Sequence, residues 1–240
     1  MKRKINRIRK FKYYLYRYGI HRLLPARALY FTAHLAGLSR WIAEHRQLPF
    51  TDFPQRTFDY GRRYELHQFV VDTLIKAEAI DYLEFGVSKG HSFGWWVQKL
   101  NHPDCRFYGF DTFTGLPEAW GPFPAGAMSN GNAPPVIDDA RHQFYQGLFQ
   151  QTLPPFLANY QPEAGRRKVI HLDADLYSST LFVLTSLSPF LQPGDVLLFD
   201  EFNVPMHEYK AFSEWAEAYY IKYTVLGQVN NYYQVALRLD

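Results

Sequence analysis

The chain has 240 residues, of which 47% are hydrophobic, 18% aromatic and 20% charged, and its formal net charge is +3. This composition predicts one packed domain with an appendage, and it excludes a disordered or fibrous chain because the apolar content suffices for a core. The single cysteine, Cys105, excludes an internal disulfide and a multi-cysteine metal site, and it favours the reducing cytosol.

The first 43 residues form a strongly basic segment, which we call the arm. They hold eleven of the 26 lysines and arginines and none of the 23 acidic residues. Apolar residues recur there every three or four positions, which predicts a basic amphipathic helix over residues 5–20. They are Ile5, Ile8, Phe11, Leu15 and Tyr18. Such a helix can contact an anionic membrane surface, and a lid or a homodimer contact explains the same pattern.

The sequence of the arm predicts neither a transmembrane span nor a removable leader. Its longest apolar stretch, residues 23–38, is interrupted by Pro25, Arg27 and His34 and lacks the ~18 consecutive apolar residues of a span. The basic start is not followed by the uncharged core and small-residue cleavage site of a signal peptide, so we expect it to be retained. Residues 1–60 are assigned to the arm and a linker.

Residues 61–240 are predicted to form the main domain. After a packing helix at 62–78, apolar runs alternate with amphipathic stretches, and Asn230-Asn231 predicts a closing hairpin. The predicted strands span residues 79–85, 106–110, 142–149, 168–172, 195–199, 223–229 and 232–239, and the predicted helices span 92–100, 179–191 and 207–220. This order predicts an α/β fold with a doubly wound, mostly parallel seven-stranded sheet, an antiparallel C-terminal hairpin and a helical N-terminal extension.

The carboxyl ends of the first two predicted strands carry acidic residues and glycines, and ligands bind at such ends in doubly wound sheets. Glu84 precedes Gly86 and Gly90, which let the backbone pass close to a ligand just before a helix begins. Asp111 lies 27 residues after Glu84, where a carboxylate can accept both hydroxyls of a ribose. Together these residues predict a nucleoside-containing cofactor. Residues 115–139 are too long for an ordinary connection and are expected to shape the site.

Four segments resemble the class I S-adenosylmethionine-dependent methyltransferases, and among them the macrocin-type O-methyltransferases that act on sugars of natural products. The segments are YLEFGVSKG at residues 82–90, GFDTFTGLPE at 109–118, IHLDADLYSST at 170–180 and LLFDEF at 197–202. GLFQQTLP at 147–154 is similar as well. The resemblance covers about residues 64–205 and implies a Rossmann-like methyltransferase domain over residues 61–240.

The resemblance implies that S-adenosylmethionine is the cofactor and assigns the residues that bind it. Glu84 would lie near the methionine portion, and Asp111 would hold the ribose. Gly86 and Gly90 would allow close approach, with Ser92 at the start of the following helix. The alternative for Glu84 and for Asp111 is a carboxylate that only caps a helix or stabilises a loop.

Four carboxylates follow two neighbouring predicted strands: Asp173, Asp175, Asp200 and Glu201. They would repel one another at one sheet edge, so a bound divalent cation, with oxygen ligands favouring Mg²⁺, is the natural way to hold them together. The resemblance assigns Asp173, Asp200 and Glu201 as metal ligands and Asp175 as general base, with Asp173 also counted among the catalytic residues. The family has Asp-Asp where this chain has Asp200-Glu201. The alternative for Asp175 is an N-cap of the next helix.

The implied reaction is methyl transfer from S-adenosylmethionine to a hydroxyl of a small-molecule or glycan acceptor, with a sugar as the expected class. A vicinal diol could chelate the metal, which would lower the pKa of the reacting hydroxyl. The displacement is direct, so it requires no nucleophilic side chain on the enzyme. We expect a cytoplasmic enzyme, with peripheral contact at the inner face of the membrane through the arm.

Three other functions fit parts of the sequence. Residues 86–90 read G-x-S-x-G, so Ser88, Asp173 or Asp200, and His207 could form the triad of an α/β-hydrolase, although helix and linker precede this motif where strands should lie. A nicotinamide-dependent dehydrogenase would share the sheet and the ribose-binding carboxylate, but its G-x-G-x-x-G motif is absent, because Ser88 replaces the second glycine. A membrane adaptor without catalysis is supported only by the arm.

The remaining histidines and the nucleic-acid alternative give weaker predictions. His171 lies inside a predicted strand and is expected to be a hydrogen-bonded core residue, while His91 and His207 remain candidates for the site. Nucleic-acid binding is not expected, because the acidic main domain carries no recognition motif that would accompany the basic arm.

Overall fold

The computed structural model describes residues 2–240, so Met1, the first residue of the arm, lies outside the described residues. The chain starts with two helices, α1 at Lys2–Arg17 and α2 at Ala26–Glu44, and a 3₁₀ turn at Ile20–Leu23 lies between them. Helix α1 confirms the basic helix predicted over residues 5–20. The pattern does not predict α2, because its apolar residues are spread around the helix. Within residues 2–240, every helix is too short or too polar to span a bilayer.

The described residues form one sheet of eight strands. In chain order these are β1 (Phe50–Thr51), β2 (Ile80–Phe85), β3 (Arg106–Asp111), β4 (His142–Gln146), β5 (Arg167–Leu172), β6 (Val196–Phe199), β7 (Tyr223–Val229) and β8 (Gln234–Leu239). Their spatial order is β1-β7-β8-β6-β5-β2-β3-β4. All neighbours are parallel except β6 with β8 and β7 with β8. The predicted parallel sheet with one reversed strand is therefore confirmed.

The helices that follow α2 connect the strands and pack on the two faces of the sheet. They are α3 (Arg63–Val70), which continues as a π turn at Val71–Ile75, α4 (His91–Lys99), α5 (Phe149–Asn159), α6 (Tyr177–Leu187) and α7 (Glu208–Ala218). Because each connection between parallel strands crosses a face, the carboxyl ends of β2, β3, β5 and β6 meet at one edge.

The expected count of seven strands is corrected to eight by β1, which lies in the predicted linker. A two-residue strand has no detectable alternation, so the sequence cannot indicate it. Phe50 pairs with Gly227 of β7, and a Cβ added to Gly227 would lie 2.8 Å from the Phe50 Cβ. The absent side chain of Gly227 therefore makes room for the added edge strand.

Helix α5 is not among the helices predicted from the sequence, and the predicted β4 extends too far. Strand β4 ends at Gln146 rather than at residue 149, and Gly147 follows with a φ of +144°. Helix α5 contains Pro154 and Pro155, which argue against a helix in any pattern-based prediction. Its buried Leu153 and Phe156 pack into the core, and this packing outweighs the missing backbone donors.

Side chains of the central strands alternate between two hydrophobic clusters, one on each face of the sheet. In β2, Leu83 and Phe85 join one cluster, whereas Ile80 and Tyr82 join the other. The first cluster includes Trp41 from the end of α2, whose ring lies 4.7 Å from that of Phe202. The C-terminal part of α2 is thus fixed to the main domain by core packing.

Candidate active site

A cavity of about 720 Å³ opens at the carboxyl edge of the sheet. It is bordered by the ends of β2, β3 and β5, by residues near the start of α3, and by the 115–139 excursion. Of the residues predicted for the site, Glu84, Gly86, Ser92, Asp111, Asp173, Asp175 and Glu201 line this cavity. Asp200 and Gly90 are not among its lining residues. The excursion contributes seven lining residues, in line with the expectation that it shapes the site.

The turn after β2 depends on the two predicted glycines for different reasons. Gly86 has a φ of +99°, and an added Cβ would lie 1.7 Å from the backbone oxygen of Asp173. Gly90 has a φ of +74°, and its added Cβ would lie 2.6 Å from Pro135 in the excursion. Gly86 therefore lets two strand ends touch beside the cavity, whereas Gly90 lets the excursion pack on the start of α4.

Glu84 is buried at the end of β2 and already has hydrogen-bond partners. Its Oε1 accepts from Ser92 Oγ at 2.8 Å, and its Oε2 accepts from the Tyr82 hydroxyl. Tyr82 also lies 2.9 Å from His171 Nδ1, while Nε2 of His171 has no partner among the described residues. Glu84 thus ties α4 to the sheet at the floor of the cavity, and His171 is only partly the satisfied core residue that we expected.

Asp111 is held by backbone donors at the end of β3. Its Oδ2 accepts from Ser88 N–H at 2.7 Å, and its Oδ1 accepts from Phe113 N–H at 2.6 Å. Ser88, which has a φ of +47°, lies in the tight turn that brings its N–H to the neighbouring strand end. The carboxylate remains partly exposed to the cavity, so each oxygen keeps a lone pair for a ligand.

Three carboxylates meet on the other side of the cavity. Asp173, Asp175 and Glu201 each offer an oxygen within 4.8 Å of the others. This set differs from the predicted ligands by including Asp175 in place of Asp200. Asp200 is fully buried, and its oxygen is grouped instead with Asp173 and His171.

The partner of Asp200 is Arg63, a residue that the sequence analysis missed. Its Nη1 lies 3.0 Å from Asp200 Oδ2 and 3.6 Å from Asp173 Oδ2. The Tyr60 hydroxyl also donates to Asp200, and the Arg63 guanidinium stacks over the Tyr60 ring at 4.2 Å. Nothing in the pattern marks Arg63, because it opens a helix whose spacing indicates only packing. It supplies a fixed positive charge beside the carboxylates.

Burial and mutual repulsion make these carboxylates hard to ionise together. Burial, followed by the charges of Asp200 and Asp111, raises the pKa of Asp175 to about 7. Burial and the neighbouring carboxylates also raise the pKa values of Asp173 and Glu201 well above their usual range. Such a cluster is stabilised by positive charge. Arg63 provides one such charge.

The oxygen ligands that the cluster offers fit a divalent cation as well. Asp200 Oδ1 and Glu201 Oε2 are buried and have no hydrogen-bond partner among the described residues. Buried carboxylate oxygens without partners are costly unless a proton, water or cation satisfies them. Three oxygens within 4.8 Å of one another match the oxygen ligands that Mg²⁺ and Ca²⁺ prefer.

Asp175 has an unusual backbone conformation for a non-glycine residue, with a φ of +56°. Helix α6 begins after Leu176, and no side-chain hydrogen bond caps its first turn. Asp175 therefore does not act as the N-cap considered as the alternative. Strained positions that the fold maintains are concentrated at functional sites.

The hydrolase triad is not assembled among the described residues. Ser88 contributes its N–H to Asp111, whereas His207 Nδ1 accepts from Tyr177 N–H at 3.4 Å and does not line the cavity. Ser88 also follows β2, with only the two-residue β1 before it, so the strands that should precede a nucleophile elbow are missing from residues 2–79.

The mouth of the cavity carries aromatic side chains from the excursion. Trp120 and Phe123 exchange backbone hydrogen bonds, and their rings stack at 5.5 Å with an interplanar angle of 14°. Phe123 is 41% exposed, and both residues line the cavity. The cavity therefore combines a carboxylate side with an apolar, aromatic rim.

Comparison with known proteins agrees with this geometry. A family model described as "Methyltransferase domain" matches residues 83–202, which include the ends of β2, β3, β5 and β6. A curated relative from Streptomyces olivaceus is 8-demethyl-8-(2,3-dimethoxy-alpha-L-rhamnosyl)-tetracenomycin-C 4'-O-methyltransferase. It is 30% identical over 171 residues, 62% of this chain and 65% of that protein, so the chain spans less than two thirds of the length of this relative.

Two solved structures share the fold. The calicheamicin methyltransferase CalS11 has a TM-score of 0.56 at 20% identity, covering 86% of this chain and 91% of that one. The O-methyltransferase NovP has a TM-score of 0.56 at 18% identity, covering 88% and 98%. These matches confirm the Rossmann-like α/β fold. Because the family model matches half of the 240 residues, the chain belongs to the methyltransferase-domain family, as the four sequence segments predict.

Proposed function

We propose that this protein transfers the methyl group of S-adenosylmethionine to a hydroxyl of a sugar-bearing acceptor, assisted by a divalent cation. The observation that carries the proposal is one cavity that joins a ribose-binding type of carboxylate, Asp111, to the cluster of Asp173, Asp175 and Glu201. The curated relative, named as an O-methyltransferase of a rhamnosyl-tetracenomycin, supports both the reaction and the acceptor class.

The cofactor would occupy the side of the cavity formed by β2 and β3. S-adenosylmethionine, when bound, supplies a sulfonium methyl group. Asp111 would accept the ribose hydroxyls, since Ser88 N–H and Phe113 N–H already fix the direction of its carboxylate. Glu84 and Ser92 would form the floor, and Gly86 would leave room for the methionine portion. Gly90 would act through the position of α4.

The acceptor hydroxyl would lie beside the carboxylate cluster. A divalent cation, when bound, would lower the pKa of a hydroxyl that it contacts. Asp173 and Glu201 would hold the cation, and Asp200, whose buried Oδ1 lacks a partner, would complete its ligands. Asp175, which lines the same cavity and is not needed as a ligand, would accept the hydroxyl proton on its carboxylate.

The aromatic rim would bind the body of the acceptor. Trp120 and Phe123 present stacked ring faces, which suit the apolar face of a sugar or a planar aglycone. The cavity volume of about 720 Å³ is in the range of sites for drug-sized ligands. We place the enzyme in the cytoplasm, where its one free thiol, the buried Cys105, stays reduced.

A labelled methyl-transfer assay tests this function. The purified protein is incubated with methyl-labelled S-adenosylmethionine and a panel of free sugars, nucleotide sugars and rhamnosylated polyketides. We expect label to appear on a sugar hydroxyl, to disappear on chelation and to return with Mg²⁺. Transfer undiminished by exhaustive chelation would remove the cation from the proposal, and binding of S-adenosylhomocysteine without transfer to any acceptor would restrict it to the cofactor.

A further inference from the structure

The arm displays charged and apolar side chains on an open surface. In α1, every side chain from Arg3 to Tyr14 is exposed. Large apolar side chains that are normally buried lie open along α1, the 3₁₀ turn and the first half of α2. Those with the most exposed surface include Phe11, Tyr16, Tyr18, Leu23 and Leu29, at 66%, 68%, 67%, 82% and 54%. An exposed apolar surface of this extent marks an interaction site.

The charge of the same surface has one sign. Residues 1–43 carry eleven lysines and arginines, and the first acidic residue is Glu44. The apolar residues Ile5, Ile8 and Phe11 follow a helical spacing, and they are exposed to 40%, 49% and 66%. An apolar stripe flanked by basic residues is the pattern of helices that lie in the interface of an anionic bilayer.

The attachment of the arm differs between its two ends. Leu38 and Trp41, near the end of α2, are buried in the core, and Trp41 Nε1 donates to the Tyr223 hydroxyl at 2.9 Å. Lys210 of α7 lies 5.6 Å from the Tyr30 ring centroid, at the middle of the arm. The main domain thus holds the end of α2 by core packing and a hydrogen bond, while α1 leaves its surface open.

We propose that the arm docks this protein on an anionic phospholipid surface, with α1 lying in the headgroup region. Nucleic acid would use the basic residues but leave the apolar stripe in water, so a bilayer accounts for more of the surface. A second copy of the chain is less favourable, because two arms repel each other. The main domain offers only a weak opposite charge, since its twenty acidic residues are accompanied by thirteen lysines and arginines, and seven of the acidic side chains are buried. The buried ones are Asp81, Glu84, Asp175, Asp195, Asp200, Glu201 and Glu208.

Vesicle flotation of the full chain tests the proposal. The probes are vesicles of pure phosphatidylcholine and vesicles with 30% phosphatidylglycerol, at low and high salt. The arm variant replaces the exposed Lys4, Lys10 and Lys12 with Gln. Because each basic residue near the surface contributes roughly fivefold in affinity at low salt, the arm variant should bind roughly a hundredfold more weakly. The wild type should float with the anionic vesicles only and should be released by salt.

A matched variant separates the arm from general electrostatics. It replaces three exposed lysines of the main domain, Lys76, Lys99 and Lys222, with Gln, and it should float like the wild type. A second arm variant, Ile8→Ser with Phe11→Ser, should lose flotation while keeping all charges. Both arm variants should bind S-adenosylhomocysteine as the wild type does, so the outcome is independent of the methyltransferase proposal.

Three results would overturn the proposal. Equal flotation of the wild type and the lysine arm variant would show that the arm is not the contact. Flotation with phosphatidylcholine alone would remove the role of charge. A dimer seen by sedimentation without lipid, lost in both arm variants and accompanied by no flotation, would assign the surface to a second copy.

Discussion

The two sides of the cavity hold carboxylates in opposite environments. Asp111 is partly exposed, and two backbone N–H groups at 2.7 and 2.6 Å fix its carboxylate. Asp173, Asp175, Asp200 and Glu201 crowd together, and the fixed cation beside them is Arg63. The first arrangement keeps a charge ready for a neutral ligand such as a ribose. In the second, the carboxylates repel one another, and a cation or a proton relieves this repulsion, which suits the proposed reaction on a hydroxyl.

The largest effect should come from removing the proton acceptor on the crowded side. Asp175→Asn keeps the size of the side chain, and Asn tolerates a φ of +56° as Asp does. We expect kcat to fall by about 10²–10⁴-fold, the range for loss of a general base. The measurement is steady-state methyl transfer. Asp138→Asn, at an exposed position of the excursion, serves as the control, and a loss below about fivefold in Asp175→Asn would reject its role as base.

The next effect concerns the fixed cation. Arg63→Met leaves the buried Asp200 with the Tyr60 hydroxyl but without its positively charged partner, so we expect the free energy of unfolding to fall by about 3–5 kcal/mol. Urea unfolding at neutral pH measures it. The neighbouring Arg62 pairs with Asp52 at 3.2 Å with a 26% exposed side chain, and Arg62→Met should cost about 1 kcal/mol or less.

A second measurement on the same pair distinguishes charge balance from packing. Added Mg²⁺ should restore more stability to Arg63→Met than to Arg62→Met, since it replaces a missing positive charge beside Asp173 and Asp200. Equal stabilities of the two variants, or no differential effect of Mg²⁺, would contradict the account of Arg63.

The smallest effect is expected at the rim. Trp120→Ala removes one ring of the stacked pair, which should raise KM for the acceptor by about tenfold, or ~1.4 kcal/mol of binding. The affinity for S-adenosylhomocysteine should not change. Tyr220→Ala, at a 90% exposed ring outside the cavity, is the control. A change in cofactor affinity with an unchanged acceptor KM would place Trp120 on the wrong side of the cavity.

The sequence predicted the sheet well because strands and acidic strand ends leave local signals. Alternating apolar runs, Gly86 and Asp111 all belong to short segments, and the structure brings their cavity-facing members together. Arg63 and the exclusion of Asp200 from the cavity could not be predicted, since both depend on the contact between Arg63 at the start of α3 and Asp200 after β6, which are 137 residues apart in the chain. Helix α5 was not predicted for a different reason. Pro154 and Pro155 disfavour a helix locally, and the packing of the helix into the core outweighs this effect.

For the predicted site residues, too, the sequence indicated the positions but not their neighbours in the structure. Glu84 and Ser92 were predicted as ligand-binding residues, and the structure shows a hydrogen bond from Ser92 to Glu84. Gly90 was predicted to approach a ligand, and the structure shows it against Pro135. Sequence patterns indicate that a position is constrained, whereas only the packing shows which neighbour imposes the constraint.

A calorimetric titration of S-adenosylhomocysteine tests the division of the cavity most directly. We compare the wild type, Asp111→Ala and Asp175→Asn. We expect one site per chain and unchanged binding in Asp175→Asn. Asp111→Ala should bind at least tenfold more weakly, since a hydrogen bond to a charged group contributes about 1.5–3 kcal/mol. Unchanged binding in Asp111→Ala, or equal weakening in both variants, would contradict the assignment of the two sides.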